Sequence, residues 1–246
     1  MDFLANYFGS LNPMSFLSAL PGNIAQGIIW GLMGLGVFLT FKLLNFADLS
    51  VDGSFATGGA VTAVMLINGC PVWATIIVAI LAGLAAGLVT GLLHTLLGIP
   101  DILAGILTQI ALYSINLNIM GKSNLPISYR NYTLVVSASN INMAILVGLG
   151  ICAVVIAAMY WYFGTEQGST IRSTGSNPAM SKAQGININF TKVIALALSN
   201  GLVALSGSLF AQYQGFADIN MGRGAIVIGL AAVIIGEVLG EAIFRK

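Results

Sequence analysis

Of the 246 residues, 57% are hydrophobic and only 7% charged, with a mean hydropathy of +0.94 and a formal net charge of +1. Soluble domains carry about 25% charged residues, so this composition excludes one and describes a polytopic membrane protein. A balanced charge without any basic tract also argues against nucleic acid as a partner and leaves the lipid bilayer as the first one.

The N-terminus, MDFLANYF, places an acid where the basic region of a cleavable signal would stand. Phe3, Leu4, Tyr7, Phe8 and Leu11 instead give an apolar face suited to lying in the interface and ending near Pro13, so residues 1–23 are expected to precede the spans. Seven apolar runs follow, at 24–41, 51–67, 72–97, 102–120, 141–163, 193–210 and 225–243. Most approach the ~20 residues a helix needs to cross a bilayer. None shows the alternating polar face of a membrane barrel. The expected fold class is all-α, a single polytopic helical domain over 1–246 with about seven spans. The glycines at 215, 222 and 224 precede the last run, 225–243, which could therefore be one re-entrant or broken helix near the C-terminus.

Polar groups interrupt the apolar pattern at a few places. The run NFADLSVDGS carries Asn45, Asp48 and Asp52 where the first span gives way to the second. An acid at the bilayer centre costs roughly 2.5–3.5 kcal/mol, so these two belong near a boundary or against a polar cavity. In a helix, Asp48 and Asp52 would share one side. Two readings stand level: acids favoured by a helix N-terminus, or the wall of a translocation path. The glycines at 83, 87 and 91 form successive GxxxG steps, repeated at Gly27–Gly31 and Gly236–Gly240, and are expected to pack helices tightly within the subunit, with a dimer contact as the alternative. Gln109 and Asn116, seven apart, share a face of the fourth run, either lining a pore or bonding to a neighbouring helix. Gln212, Asp218, Asn220 and Arg223 make a second polar cluster after the sixth run.

Several leads close. Cys70 and Cys152 lack metal spacing and read as small core residues. His94 stands alone and reads as an interfacial polar residue, and Glu237 and Glu241 form a pair at i,i+4 suited to Arg245. The string NLNIMGKS over 116–123 ends like a phosphate loop, but the first glycine is missing and it follows an apolar helix. No catalytic constellation and no cofactor site emerge, so any ATP must be bound by another subunit.

The polar segment Gly164–Lys192 cannot lie in lipid. Within it Asn177 suits an N-cap, Pro178 the first helical position and Gly185 the left-handed residue that stops the helix. Ala179, Met180 and Ala183 would share one face, with Ser181 and Lys182 pointing elsewhere. Connectors on this side carry Lys42, Arg172, Lys182, Lys192, Arg245 and Lys246, against Lys122, Arg130 and Arg223 on the other. Six against three places 164–192 in the cytoplasm and the N-terminus outside.

The run Asn45–Asp48, together with RSTGSNPAMSKAQGIN (172–187), ALSNGLVALSGSLFAQYQGFAD (197–218) and GRGAIVIGLAAVIIGE (222–237), resembles the permease subunits of ATP-binding-cassette importers. The branch is the one containing branched-chain amino-acid and ribose permeases, and the likeness is greatest to members proposed to import tryptophan, tyrosine or related solutes. That resemblance implies a bacterial cytoplasmic (inner) membrane location, two permeases with two ATPase subunits, and an extracytoplasmic solute-binding protein. It implies that Asn177–Gly185 is a coupling helix, with Gly175, Asn177, Pro178, Ala179, Met180, Lys182, Ala183 and Gly185 meeting the ATPase. Asn45, Asp48, Asp52, Gln109, Asn116, Gln212 and Asp218 are then the candidates for the solute path, the solute being an amino acid by resemblance. Permeases of this kind continue past the position of Lys246 with one or two further spans, so a shortened subunit or a fragment is expected. The alternative to an importer is an ion-coupled secondary transporter or channel using Asp48 or Asp52, which would need no docking helix.

Overall fold

The computed structural model describes residues 13–127 and 134–244. The apolar face expected over Phe3–Leu11, and Arg130, Arg245 and Lys246, lie outside these residues. The first described helix, α1 (Pro13–Val37), carries Pro21 inside it and is described from Pro13 onward. Residues 13–23 are continuous with the first span in this one helix. At its far end the helix widens into a π-helical turn, Phe38–Leu43, and the chain then reverses at Asn45, whose φ of 54° is left-handed. Asparagine tolerates that conformation better than most side chains.

The remaining apolar runs form α2 (Val51–Ile67), α3 (Val72–Leu96), α4 (Asp101–Met120), α5 (Ile141–Phe163), α8 (Ile188–Gln214) and α9 (Ala225–Phe244), with α6 (Glu166–Ser176) and α7 (Pro178–Ala183) between α5 and α8. Among the described residues six helices are long and apolar enough to cross a membrane; α2, at 17 residues, is shorter. The expected all-α polytopic fold is thus present, with every predicted run helical. Two short strands, β1 (Asn124–Pro126) and β2 (Phe216–Asp218), pair antiparallel with Leu125 opposite Ala217. The last run, 225–243, is one continuous helix and not a broken one. Gly215, at φ 77°, ends α8, β2 follows, and a turn leads into an unbroken α9.

The axis of the molecule is α8, whose apolar window is 78% buried, against 11% for α5 and 6% for α9. Small residues allow this. Gly83, Gly87 and Gly91 of α3 lie directly on the α8 backbone at Asn200, Leu196 and Val193. Gly58 of α2 likewise meets the Ala204 carbonyl, and Gly207 of α8 meets that of Phe55. Such approach maximises van der Waals contact where no hydrophobic drive exists between helices in lipid. The expectation of tight packing within the subunit holds for 83, 87 and 91. It does not hold for Gly27, Gly31, Gly236 or Gly240, which have nothing within 4 Å.

Hydrogen bonds fix the register. Ser54 bonds Asn200 and Thr62 bonds Ser208, so α2 runs parallel to α8 and its first turn stands level with the middle of α8. The N-terminus of α9 meets the same level, because the Gly224 and Ile226 amides donate to Asp52 at 3.0 and 2.9 Å. Two helices therefore begin side by side, well inside the bundle. Glu237 of α9 pairs with Lys42 at 2.6 Å, half-exposed, and such a pair adds at most about 1 kcal/mol.

Candidate functional site

Beside these two helix starts lies a cavity of about 270 Å³, lined by α2 (Asp52, Gly53, Ala56), α4 (Gln109, Ile110, Tyr113, Asn116) and the turn before α9 (Ile219, Asn220, Arg223). Gly53 of α2 sits against Gln109 and Leu112 of α4, which holds the two helices close below it. Of the residues expected on a solute path, the fold brings Asp52, Gln109 and Asn116 together here. Asn116 is 1% exposed, yet neither its Oδ1 nor its Nδ2 has a partner. An unsatisfied buried polar group costs about 1–3 kcal/mol, so this carboxamide is an uncompensated polar group in the wall. Among the described residues Asp52 accepts the two α9 amides and Arg223 forms no ion pair within 4 Å. A second cavity, of about 340 Å³ around Leu84, Met159 and Leu205, has no charged residue in its lining.

Asp48 is placed elsewhere. It precedes α2 instead of joining it, so it does not share a helix face with Asp52. The reversal at Asn45 and the helix start at Val51 separate them. Its carboxylate is buried and accepts the Ser50 amide at 2.8 Å, the Ser50 hydroxyl, and Nδ2 of Asn200 at 2.7 Å. The Ser54 hydroxyl in turn donates to Oδ1 of Asn200. The acid thus stands at the N-terminus of α2 and ties it to α8, where the helix dipole favours negative charge. Asn200 escaped sequence reading, although a carboxamide inside an apolar run was its signal.

The other expected path residues do not reach the cavity lining. Asn45 is exposed at the reversal. Gln212 is fully buried, with Oε1 accepting the Val135 amide at 3.1 Å and Nε2 unpaired. Asp218 accepts the Asn220 amide at 2.7 Å and so shapes the turn that carries Arg223. Among the described residues no group of three His, Cys, Asp or Glu is placed to hold a metal ion.

The polar segment contains one helix more than expected. Thr165 caps α6, and Ile171 buries that helix against Leu39, Leu44, Phe46 and Leu196. Gly175 lies against the Leu43 carbonyl, so it faces inward and seats the segment on the end of the π-helical turn. The next helix, α7, has the anticipated ends: Asn177 Oδ1 accepts the Met180 amide at 3.0 Å, Pro178 opens it, and Gly185 follows at φ 84°. Ser181 turns in and donates to the Asn177 carbonyl, while Ala179, Met180, Lys182 and Ala183 are exposed. His94 also sits at this end of the molecule, stacked edge-on against Phe46. Its Nδ1 is bound to the Ile99 carbonyl and its Nε2 is 3.0 Å from Lys192 Nζ.

Comparison with known proteins agrees with this layout. The family described as branched-chain amino acid transport system / permease component matches residues 22–243. A tyrosine transport system permease protein of Clostridioides difficile is 45% identical over 91% of this chain and 74% of its own length. The D-allose transport system permease protein of Escherichia coli is 28% identical over 93% and 71%. An autoinducer 2 import system permease protein of an Enterobacter species is 28% identical over 93% and 66%. No solved structure matches the chain. The chain belongs to the branched-chain amino-acid transport permease family and is a membrane-spanning permease of the ATP-binding-cassette importers for small solutes.

Proposed function

We propose that the chain pairs with a second copy of itself to form the import path for an amino acid across a bacterial cytoplasmic membrane, driven by separate ATPase subunits. In this reading α7 docks into the ATPase through Ala179, Met180 and Ala183, and Gly175 seats α6 from behind. The observation that carries the reading is the outward presentation of that capped helix, with Ser181 turned inward and its neighbours exposed. The tyrosine permease relative supports an amino acid as the solute. A binding protein outside the membrane delivers it, and the ATPases hydrolyse ATP; the permease itself does no covalent chemistry and binds no cofactor. Lys42, Arg172, Lys182 and Lys192 gather at the α7 end, which supports a cytoplasmic position for 164–192 and an external N-terminus.

The test is capture of the tagged permease from its native membrane in mild detergent, followed by identification of partners. An ATP-binding subunit should accompany it and be lost from Ala183→Glu, which places a carboxylate on the exposed face. Recovery of the permease alone across several detergents would sink the docking role.

A further inference from the structure

We propose that the cavity between α2, α4 and the 219–223 turn is a solute station that takes an α-amino acid as its zwitterion. Arg223 receives the carboxylate, while Asp52 and the Asn116 carboxamide receive the ammonium group. The inference rests on the importer reading and specifies its substrate chemistry.

Three observations carry it. The lining holds one cation, Arg223, and one anion, Asp52, with no ion pair between them. Asn116 is buried with both polar atoms unpaired and lines the same space. The volume, about 270 Å³, sits at the lower end of the roughly 300–1,000 Å³ of small-ligand sites. A neutral sugar could bond Gln109, Asn116 and Asn220 but would bring no counter-charge to Arg223 and none to Asp52 beyond its two amides. A singly charged solute would match one and leave the other. A zwitterion answers both.

Geometry suits each contact. A guanidinium offers parallel N–H donors that match a carboxylate, which an ammonium side chain cannot do. The Asp52 oxygens each accept one α9 amide and keep lone pairs for a further donor. Tyr113, 43% exposed at the rim, offers a ring against which an aromatic or apolar side chain can lie. Because Arg223 is carried by a turn and Asp52 by a helix start, relative movement of the two would open or close the pair of contacts together.

The test is site-specific protection from thiol labelling. Ile110, 61% exposed on the lining, is changed to Cys in a chain with Cys70 and Cys152 replaced by Ser. Labelling by a small methanethiosulfonate is followed in membrane vesicles that hold the permease with its ATPase. Each proteinogenic amino acid, a hexose and a nucleoside are added singly at millimolar concentration. At least one amino acid should slow labelling several-fold, while its methyl ester and its N-acetyl derivative, each lacking one charge, should not. Arg223→Gln should raise the half-protecting concentration by about tenfold, equal to 1.4 kcal/mol, and Arg223→Lys by less. Unliganded labelling rates report whether each variant is folded. Protection by the hexose or nucleoside alone, by no compound, or equally by the one-charge derivatives overturns the proposal, as does unchanged protection in Arg223→Gln. Labelling consumes no ATP, so absence of ATP-driven uptake would count against the importer reading separately.

Discussion

Gly87→Ala tests whether α3 and α8 meet backbone to backbone. A Cβ at position 87 would lie 2.7 Å from the Ala197 Cα and nearer still to the Leu196 carbonyl oxygen, where ordinary contact begins at 3.4 Å. Relief of the first contact alone requires the helices to part by 0.7 Å (3.4 − 2.7). No side chain can rotate away, because both obstacles are main chain. Overpacking of this kind costs about 1–3 kcal/mol. The control is Gly31→Ala on α1, where nothing lies within 4 Å of the added carbon. There the substitution should stabilise by roughly 0.5–1 kcal/mol through lower helix entropy. The two variants should therefore differ by about 1.5–4 kcal/mol, or roughly 3–16 °C in Tm for a chain of this size. Thermal denaturation of the detergent-purified proteins, followed by loss of the monodisperse peak, reads that gap. Equal melting of Gly87→Ala and Gly31→Ala would refute the close approach of α3 to α8.

Other outcomes follow from the same contacts. Ala183→Glu should lower ATP-driven uptake at least about tenfold at equal expression, the factor that 1.4 kcal/mol of lost docking represents, with membrane insertion unchanged. Asn200→Ala removes the Nδ2 donor to buried Asp48 and the acceptor of the Ser54 hydroxyl; chemical or thermal denaturation should show a loss of about 1–3 kcal/mol. Asp52→Ala strips the acceptor of two α9 amides and should cost about 1 kcal/mol. Asp52→Asn, which keeps an acceptor oxygen, should stay near wild type in stability but lose uptake; normal uptake would return Asp52 to a purely capping role.

The spans were legible because lipid enforces a continuous apolar run and helical hydrogen bonding, and all seven runs proved helical. The α7 ends were legible because Asn, Pro and Gly each act locally, within a few residues. What escaped reading depends on distant partners. The β1–β2 ribbon joins residues on either side of four described helices, and three-residue strands carry no periodic signal. The π-helical turn ends where Gly175, more than 130 residues later, lies against the Leu43 carbonyl, a contact no local pattern announces. Of the polar path candidates, the spacing of Gln109 and Asn116 correctly placed both on one lining, because helical periodicity is exact enough over two turns. The Asp48–Asp52 spacing failed as a guide because the helix starts between them. Glycine stripes looked alike in sequence; only the small, buried partner helix α8 separates those that pack from those that do not.

The hydrogen bonds from Asp52 to the start of α9 span 172 and 174 residues of chain. During synthesis at about 5–20 residues per second, Asp52 must therefore wait roughly 10–35 s after its own translation before those amides exist. Asp48 waits for Asn200, 152 residues later. Through that interval the nascent chain carries two carboxylates without their final partners, so α2 cannot settle against α8 until more than 150 further residues have been made. A helix translated more than 170 residues after Asp52 is then the one that completes the first polar break, and ribosome stalling between Asn200 and Gly224 would leave a half-assembled, acid-bearing bundle.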